Sequence, residues 1–401
     1  MIFNTSWFLI FFLFFYFFLW LVPNPRLRFF YLLACSAIFH YHFAGPAGVT
    51  PIIFMAVLTF FWAKWIVKFP EGSSEKKWVL GGALLVPVTG LLFYKYQALV
   101  FGSLGAALGD RAGGWFTAHA LQRAMPLAIS FFTFEFVHYL TDIYYGKGEP
   151  VRNPFKFAIF CIFFPSIVSG PIKRFQPFLA QLEDGLQRPP VQKALLGLAQ
   201  LLLGFFKKLV IADNATTLIH LLEKRTDLST GPCCLLMALL SIRILFDFSG
   251  YSDIAIGLGK MIGLDLPANF NFPYIAENIT DFWRRWHMSL SSWIRDYIYI
   301  PMGGNRFGLF RKFFNLMVTM FVCGLWHGAS WHFGIWGLYH GLGLASHNAW
   351  EKSRWGQMGK TFPGARWIRV GATNVFVAYG WLLFFYPMDQ VVKITRHLFS
   401  L

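Results

Sequence analysis

Between Phe29 and Val67 the chain carries one formal charge, Lys64, in a stretch too long for one membrane crossing of about 20 residues and too apolar to rest in water. Gly45-Pro46-Ala47-Gly48 interrupts it. Read as a helical hairpin, the stretch returns the chain to the side it left, at Lys68, Lys76 and Lys77. Ahead of it lies a second apolar run, Trp7 to Val22, with no basic residue before it, whereas a secretory signal needs a positive leading region and a small-residue cleavage site. This run is expected to stay as a span. Its basic flank, Arg26 and Arg28, follows it and puts the N-terminus outside, and the basic Lys68 to Lys77 loop gives the same orientation independently.

Composition extends this reading over the whole chain. Charged residues make up 13% of the sequence, against about 25% in soluble domains, while 56% is hydrophobic and mean hydropathy is +0.50. Disorder and a secreted disulfide scaffold are excluded. The five cysteines form no C-x-x-C pair and read as inert packing residues. A net charge of +16 raises the question of nucleic acid, but the basic residues fall in short tracts between apolar runs and no soluble binding module is present. The partner expected for them is an anionic inner leaflet.

Further apolar stretches, Trp78 to Phe101, Met125 to Tyr145, Phe155 to Ile172, Val191 to Leu222, Gly231 to Ile262, Phe313 to Leu344 and Trp367 to Tyr386, read as helices. The expected fold is an all-α polytopic membrane bundle of on the order of 9 to 12 spans, with re-entrant and interfacial helices. The chain is read as one integral-membrane domain over 1–401. No internal repeat supports a two-fold repeat transporter.

Ionisable residues inside such helices are functional hypotheses by default. Glu135, His138 and Asp142 stand at i, i+3 and i+7 on one helical stripe, read as a polar seam for packing, with a proton or substrate path as the alternative. Asp247 and Asp253 are read the same way. The richest segment is 266–341. It opens on a turn-forming run, Pro267, Asn269, Phe270, Asn271, Pro273 and Tyr274. Asp281 to Tyr297 follows, with Trp283, Trp286 and Trp293 among charges, too polar to cross lipid freely and suited to an interface or to burial in protein. Further on, His327 and His332 are five apart and His340 is off the face of His327, so the i, i+4 geometry of an H-E-x-x-H metal site is missing. A lone histidine in an apolar helix is usually a packed, hydrogen-bonded residue, and no acidic residue stands one turn from His327.

Six ordered motifs nevertheless resemble one family: Met125 through Phe134, Phe164 through Arg174, Gly204 through Asn214, Asp247 through Asp253, Phe282-Trp283-Arg284-Arg285-Trp286-His287, and Leu325-Trp326-His327-Gly328. Together they are similar to the membrane-bound O-acyltransferases, and within them to the bacterial branch that includes the membrane subunit of alginate O-acetylation. The resemblance implies acyl transfer from a thioester to a hydroxyl, with His327 as the catalytic histidine and His287 as a second polar group in the same funnel. Asn271, Asp281, Trp283, Trp286, Trp326 and His340 are the expected substrate-binding set. No bound cofactor is implied. The co-substrate is an acyl thioester, acetyl-CoA or an acyl-carrier protein. The expected partners are membrane lipid, a periplasmic acetyltransferase of the serine-hydrolase type that completes the transfer, and a polysaccharide synthase complex, at a bacterial inner membrane. Tyr299 to Arg306 resembles the alginate-type proteins and favours O-acetylation of an extracellular polysaccharide (alginate, cellulose or peptidoglycan) over D-alanylation of teichoic acid. A transporter or channel that conducts an acyl group or a proton, and a scaffold for a synthase complex, are the rival classes. His138 departs from the family pattern, in which a small polar residue is more usual, and His332 is an additional histidine beside His327.

Overall fold

The computed structural model describes residues 2–108, 125–224, 229–353 and 364–399, and among them there are helices and no strand. Among the described residues six helices are long and apolar enough to cross a membrane, by length and composition, and Ser6–Leu21 and Pro154–Ser166 are shorter apolar segments. The described residues gather into two compact units.

The first unit comprises 1–202 and 254–267. Helix α1 (Ser6–Leu21) is capped by the Thr5 hydroxyl, which accepts from the Phe8 amide at 3.2 Å. It buries Phe8, Phe12, Phe15 and Leu19 and leaves Leu13, Phe14 and Phe17 more than 60% exposed, as a helix facing lipid does. Asn24 caps α2 (Pro25–Ile66), whose first position is a proline that has no amide to leave unpaired. Within α2, Gly45 breaks the helix at φ 63° and ψ 173°, a conformation open to glycine alone. The chain doubles back there. Phe30 of the first arm and Phe60 of the second lie 5.4 and 5.8 Å from Phe155 and Phe157, two residues apart on one short helix, so the arms run side by side as the expected hairpin requires. After Lys68 come α3 (Ser74–Leu91) and α4 (Gln97–Leu108), joined by a π-helical turn over Leu92–Tyr96.

Helix α5 (Ile129–Tyr144) carries the polar stripe, and each member has its own partner. Glu135 pairs with Lys173, both buried. His138 donates from Nδ1 to the Phe134 carbonyl at 3.1 Å and accepts the Phe175 amide on Nε2 at 3.2 Å. Asp142 lies 3.7 Å from Lys147. The helix expected from Phe155 to Ile172 is corrected: α6 (Pro154–Ile162) ends ahead of Pro165, and a short turn and extended chain lead to α7 (Phe175–Ala180). Helix α8 (Val191–Phe205) passes close to Gly257, where a Cβ would stand 2.6 Å from the Gly197 carbonyl.

The second unit comprises 203–253 and 268–401. A π-helical segment, Phe206–Ala212, leads into α9 (Asp213–Glu223), and α10 (Thr230–Ile262) returns beside it. Charge ties them: Lys207 meets Asp253 at 2.5 Å, and Lys208 meets Asp213 and Asp247 at 2.7 and 2.8 Å. The two aspartates flagged in the sequence thus answer the lysines of another motif. Short helices α11 (Ile279–Arg285) and α12 (Met288–Ile294) bury Trp283, Trp286 and Trp293. The helix expected from Phe313 to Leu344 is likewise corrected, for it is a tight pair, α13 (Gly308–His327) and α14 (Trp331–Lys352), broken at Gly328. Helices α15 (Ala365–Phe385) and α16 (Met388–Leu398) complete the unit.

Candidate active site

His327 is the last residue of α13, and the chain leaves the helix at Gly328 with extended backbone. A Cβ at position 328 would lie 2.0 Å from the Phe333 ring, so glycine is what lets α14 begin so close behind. The break also places His327 and His332 on different helices, which removes the shared-helix geometry assumed for them. The half-buried His327 imidazole is boxed edge-to-face by Trp326, Phe384 and Trp336, at centroid distances of 4.8, 5.1 and 5.3 Å.

His287 approaches through the same wall. Its ring packs 4.5 Å from Phe248 and 6.0 Å from Trp326, the residue next to His327. It is 1% exposed, and neither ring nitrogen has a hydrogen-bond partner among the described residues. The turn that holds it, between α11 and α12, belongs to no spanning helix. Burial first, and His327 second, push its pKa well below the ordinary histidine value, so it stays neutral. Its backbone is left-handed, at φ 43° and ψ 53°, a conformation that costs a non-glycine residue about 1–2 kcal/mol.

Trp336 is the hub. Only 1% exposed, it touches His327, His340 (4.9 Å), Trp283 (5.9 Å), Trp381 (6.0 Å) and Phe384 (5.2 Å). Trp286 joins through Trp381 at 5.0 Å. Of the expected substrate-binding set, Trp283, Trp286, Trp326 and His340 therefore form one aromatic wall with the two histidines. His340 is fully buried in it, with both ring nitrogens unpartnered among the described residues. Asn271 and Asp281 meet at Arg285, whose Nε donates to Asp281 at 2.9 Å and whose Nη1 donates to the Asn271 carbonyl at 3.3 Å.

Sequence reasoning missed Trp336, Trp381, Phe384 and Phe248. Sixteen tryptophans and 48 phenylalanines give no single one prominence, and these four lie in three different helices. Asn269 was seen only as a turn former. It is 1% exposed and makes four hydrogen bonds around the His287 turn.

Taken together, the site offers one half-buried imidazole, that of His327, and two fully buried ones, those of His287 and His340, in a wall of aromatic rings. Such an arrangement suits proton transfer to and from a small reacting group in an apolar setting.

The model of the family described as MBOAT, membrane-bound O-acyltransferase family, matches residues 150–386. A probable alginate O-acetylase of Azotobacter vinelandii is 39% identical over 78% of this chain and 60% of its own length. One of Pseudomonas putida is 35% identical over 96% of this chain and 77% of its own. A peptidoglycan O-acetyltransferase of Helicobacter pylori is 34% identical over 80% of this chain and 64% of its own. The chain thus spans about half to three quarters of the length of the curated relatives it matches.

Proposed function

The chain belongs to the membrane-bound O-acyltransferase family, and from that premise we propose that it moves an acyl group, acetyl above all, from a thioester on the cytoplasmic side to a hydroxyl acceptor beyond the membrane. The observation that carries this reading is the placement of His327 at a helix break, half-buried and boxed by three aromatic rings. In the proposed reaction His327 takes the proton of the incoming hydroxyl while the hydroxyl oxygen bonds to the thioester carbonyl carbon. The tetrahedral intermediate collapses, the carbon–sulfur bond breaks, and the imidazolium returns its proton to the departing thiolate. An ester and a free thiol result, with no net proton consumed. The wall of Trp283, Trp286, Trp326 and His340 keeps out the water that would hydrolyse the acyl group. His287 serves as the second polar group at the same wall.

The acceptor class in this reading is an extracellular polysaccharide, supported by relatives whose names specify alginate and peptidoglycan. A periplasmic acetyltransferase of the serine-hydrolase type would complete the transfer, acetyl-CoA or an acyl-carrier protein would supply the thioester, and the N-terminus would face outward from an inner membrane. Sealed vesicles of both orientations test donor and sidedness together. Acetyl-CoA supplied to the face bearing the Arg26 and Lys77 loops should release thiol, and the same donor at the opposite face should not. Turnover only with a D-alanyl carrier-protein thioester would select D-alanylation instead.

A further inference from the structure

Residues 269–271 run alongside 285–288, and the two stretches are of unequal length. The Asn271 amide donates to the Arg285 carbonyl at 3.0 Å, and the Met288 amide donates to the Asn269 carbonyl at 2.9 Å. Two steps of chain on one side thus face three on the other. The extra residue is absorbed where the backbone turns left-handed, at His287, in the manner of a bulge that re-aims a side chain. No hydrogen bond from the His287 ring holds that turn, because its nitrogens are unpartnered among the described residues.

What holds it is Asn269. Besides its carbonyl bond to Met288, its Oδ1 accepts from the Ser289 hydroxyl at 2.6 Å and from the Ser289 amide at 3.3 Å. Its Nδ2 donates to the Ser252 hydroxyl on α10 at 3.1 Å. A single buried residue therefore holds the two residues after His287, Met288 through its backbone carbonyl and Ser289 through its side-chain amide, and that amide ties the turn to another helix. From this geometry we infer that Asn269 is a positioning residue of the acyl-transfer site, acting by fixing the left-handed turn that aims the His287 ring at Trp326 beside His327. The inference rests on the reading of His287 as part of that site. A locked polar network is how a strained left-handed backbone is kept in place.

A double-mutant cycle on the purified chain in lipid nanodiscs tests it, with acetyl-CoA as donor and the released thiol as the readout. Asn269→Ala, His287→Gln and the double variant are compared, and the unfolding temperature of each reports folding. Asn269→Ala should lower kcat by about 10²-fold, as misplacement on the ångström scale does, with KM for acetyl-CoA within about twofold of wild type. In the His287→Gln background the same change should cost nothing further. Should Asn269→Ala not fold, Ser289→Ala removes only the 2.6 Å bond and should give a smaller loss of the same kind. Wild-type kcat in Asn269→Ala while His287→Gln is inactive would overturn the inference alone, as would losses that simply add in the double variant. Full turnover by His287→Gln would instead overturn the reading on which the inference rests.

Discussion

At the scale of single residues, the spacing of Glu135, His138 and Asp142 shows that they share a face, while the structure shows what answers each of them. Lys173, which pairs with Glu135, lies outside any helix, and spacing cannot select it from 35 basic residues. Its side chain is 2% exposed, and its ammonium also sits 4.7 Å from the Phe160 ring centroid. Glu135→Gln would leave that cation buried and unpaired, at about 3–5 kcal/mol, so the unfolding temperature and the yield of monodisperse protein should fall. Activity per folded molecule should stay near wild type, and adding Lys173→Met should recover most of the lost stability. A well-folded Glu135→Gln protein without turnover would place the pair in the chemistry. The same limit explains Trp336: its residue type was visible, but its five ring contacts bring together α11, α13, α14 and α15.

At the scale of elements, a break is legible in sequence when its residues differ from the helix around them. Gly45-Pro46 is such a signal, and the hairpin followed from it. Gly328 gives none, since it sits in a run of apolar and small residues, and only the crowding of Phe333 against it requires the glycine. Close packing of α13 on α14 depends on two more glycines, at 324 and 337. A Cβ on Gly337 would stand 2.1 Å from the Met320 carbonyl oxygen, a backbone atom that cannot move aside alone. Gly337→Ala should therefore separate the pair that carries His327, with loss of folded protein by size-exclusion chromatography and a lowered unfolding temperature. Gly81→Ala, with nothing within 4 Å of its Cβ, should be neutral or stabilise by up to about 1 kcal/mol. Equal damage from both would show that helix packing does not depend on the close approach.

Over the whole molecule, charge and hydropathy fixed the class, and the family motifs named the residues, but motif order says nothing about which motifs meet. Lys207 and Lys208 of one motif answer Asp253 and Asp247 of the next, and His287 of a third reaches His327 of a fourth through Trp326. These meetings depend on helix packing in three dimensions, which spacing along the chain does not encode. The account built on them is that an imidazole moves a proton as the acyl group changes hands, and a conduit for acyl groups would need no such base. His327→Gln separates the two, because glutamine keeps hydrogen bonding and much of the side-chain volume but cannot accept the proton. The measurement is acetyl transfer from labelled acetyl-CoA by purified, monodisperse His327→Gln and wild-type protein, with matched unfolding temperatures. General-base catalysis predicts a loss of about 10²–10⁴-fold in the variant. Transfer within a few-fold of wild type would contradict the assignment of His327 as the base.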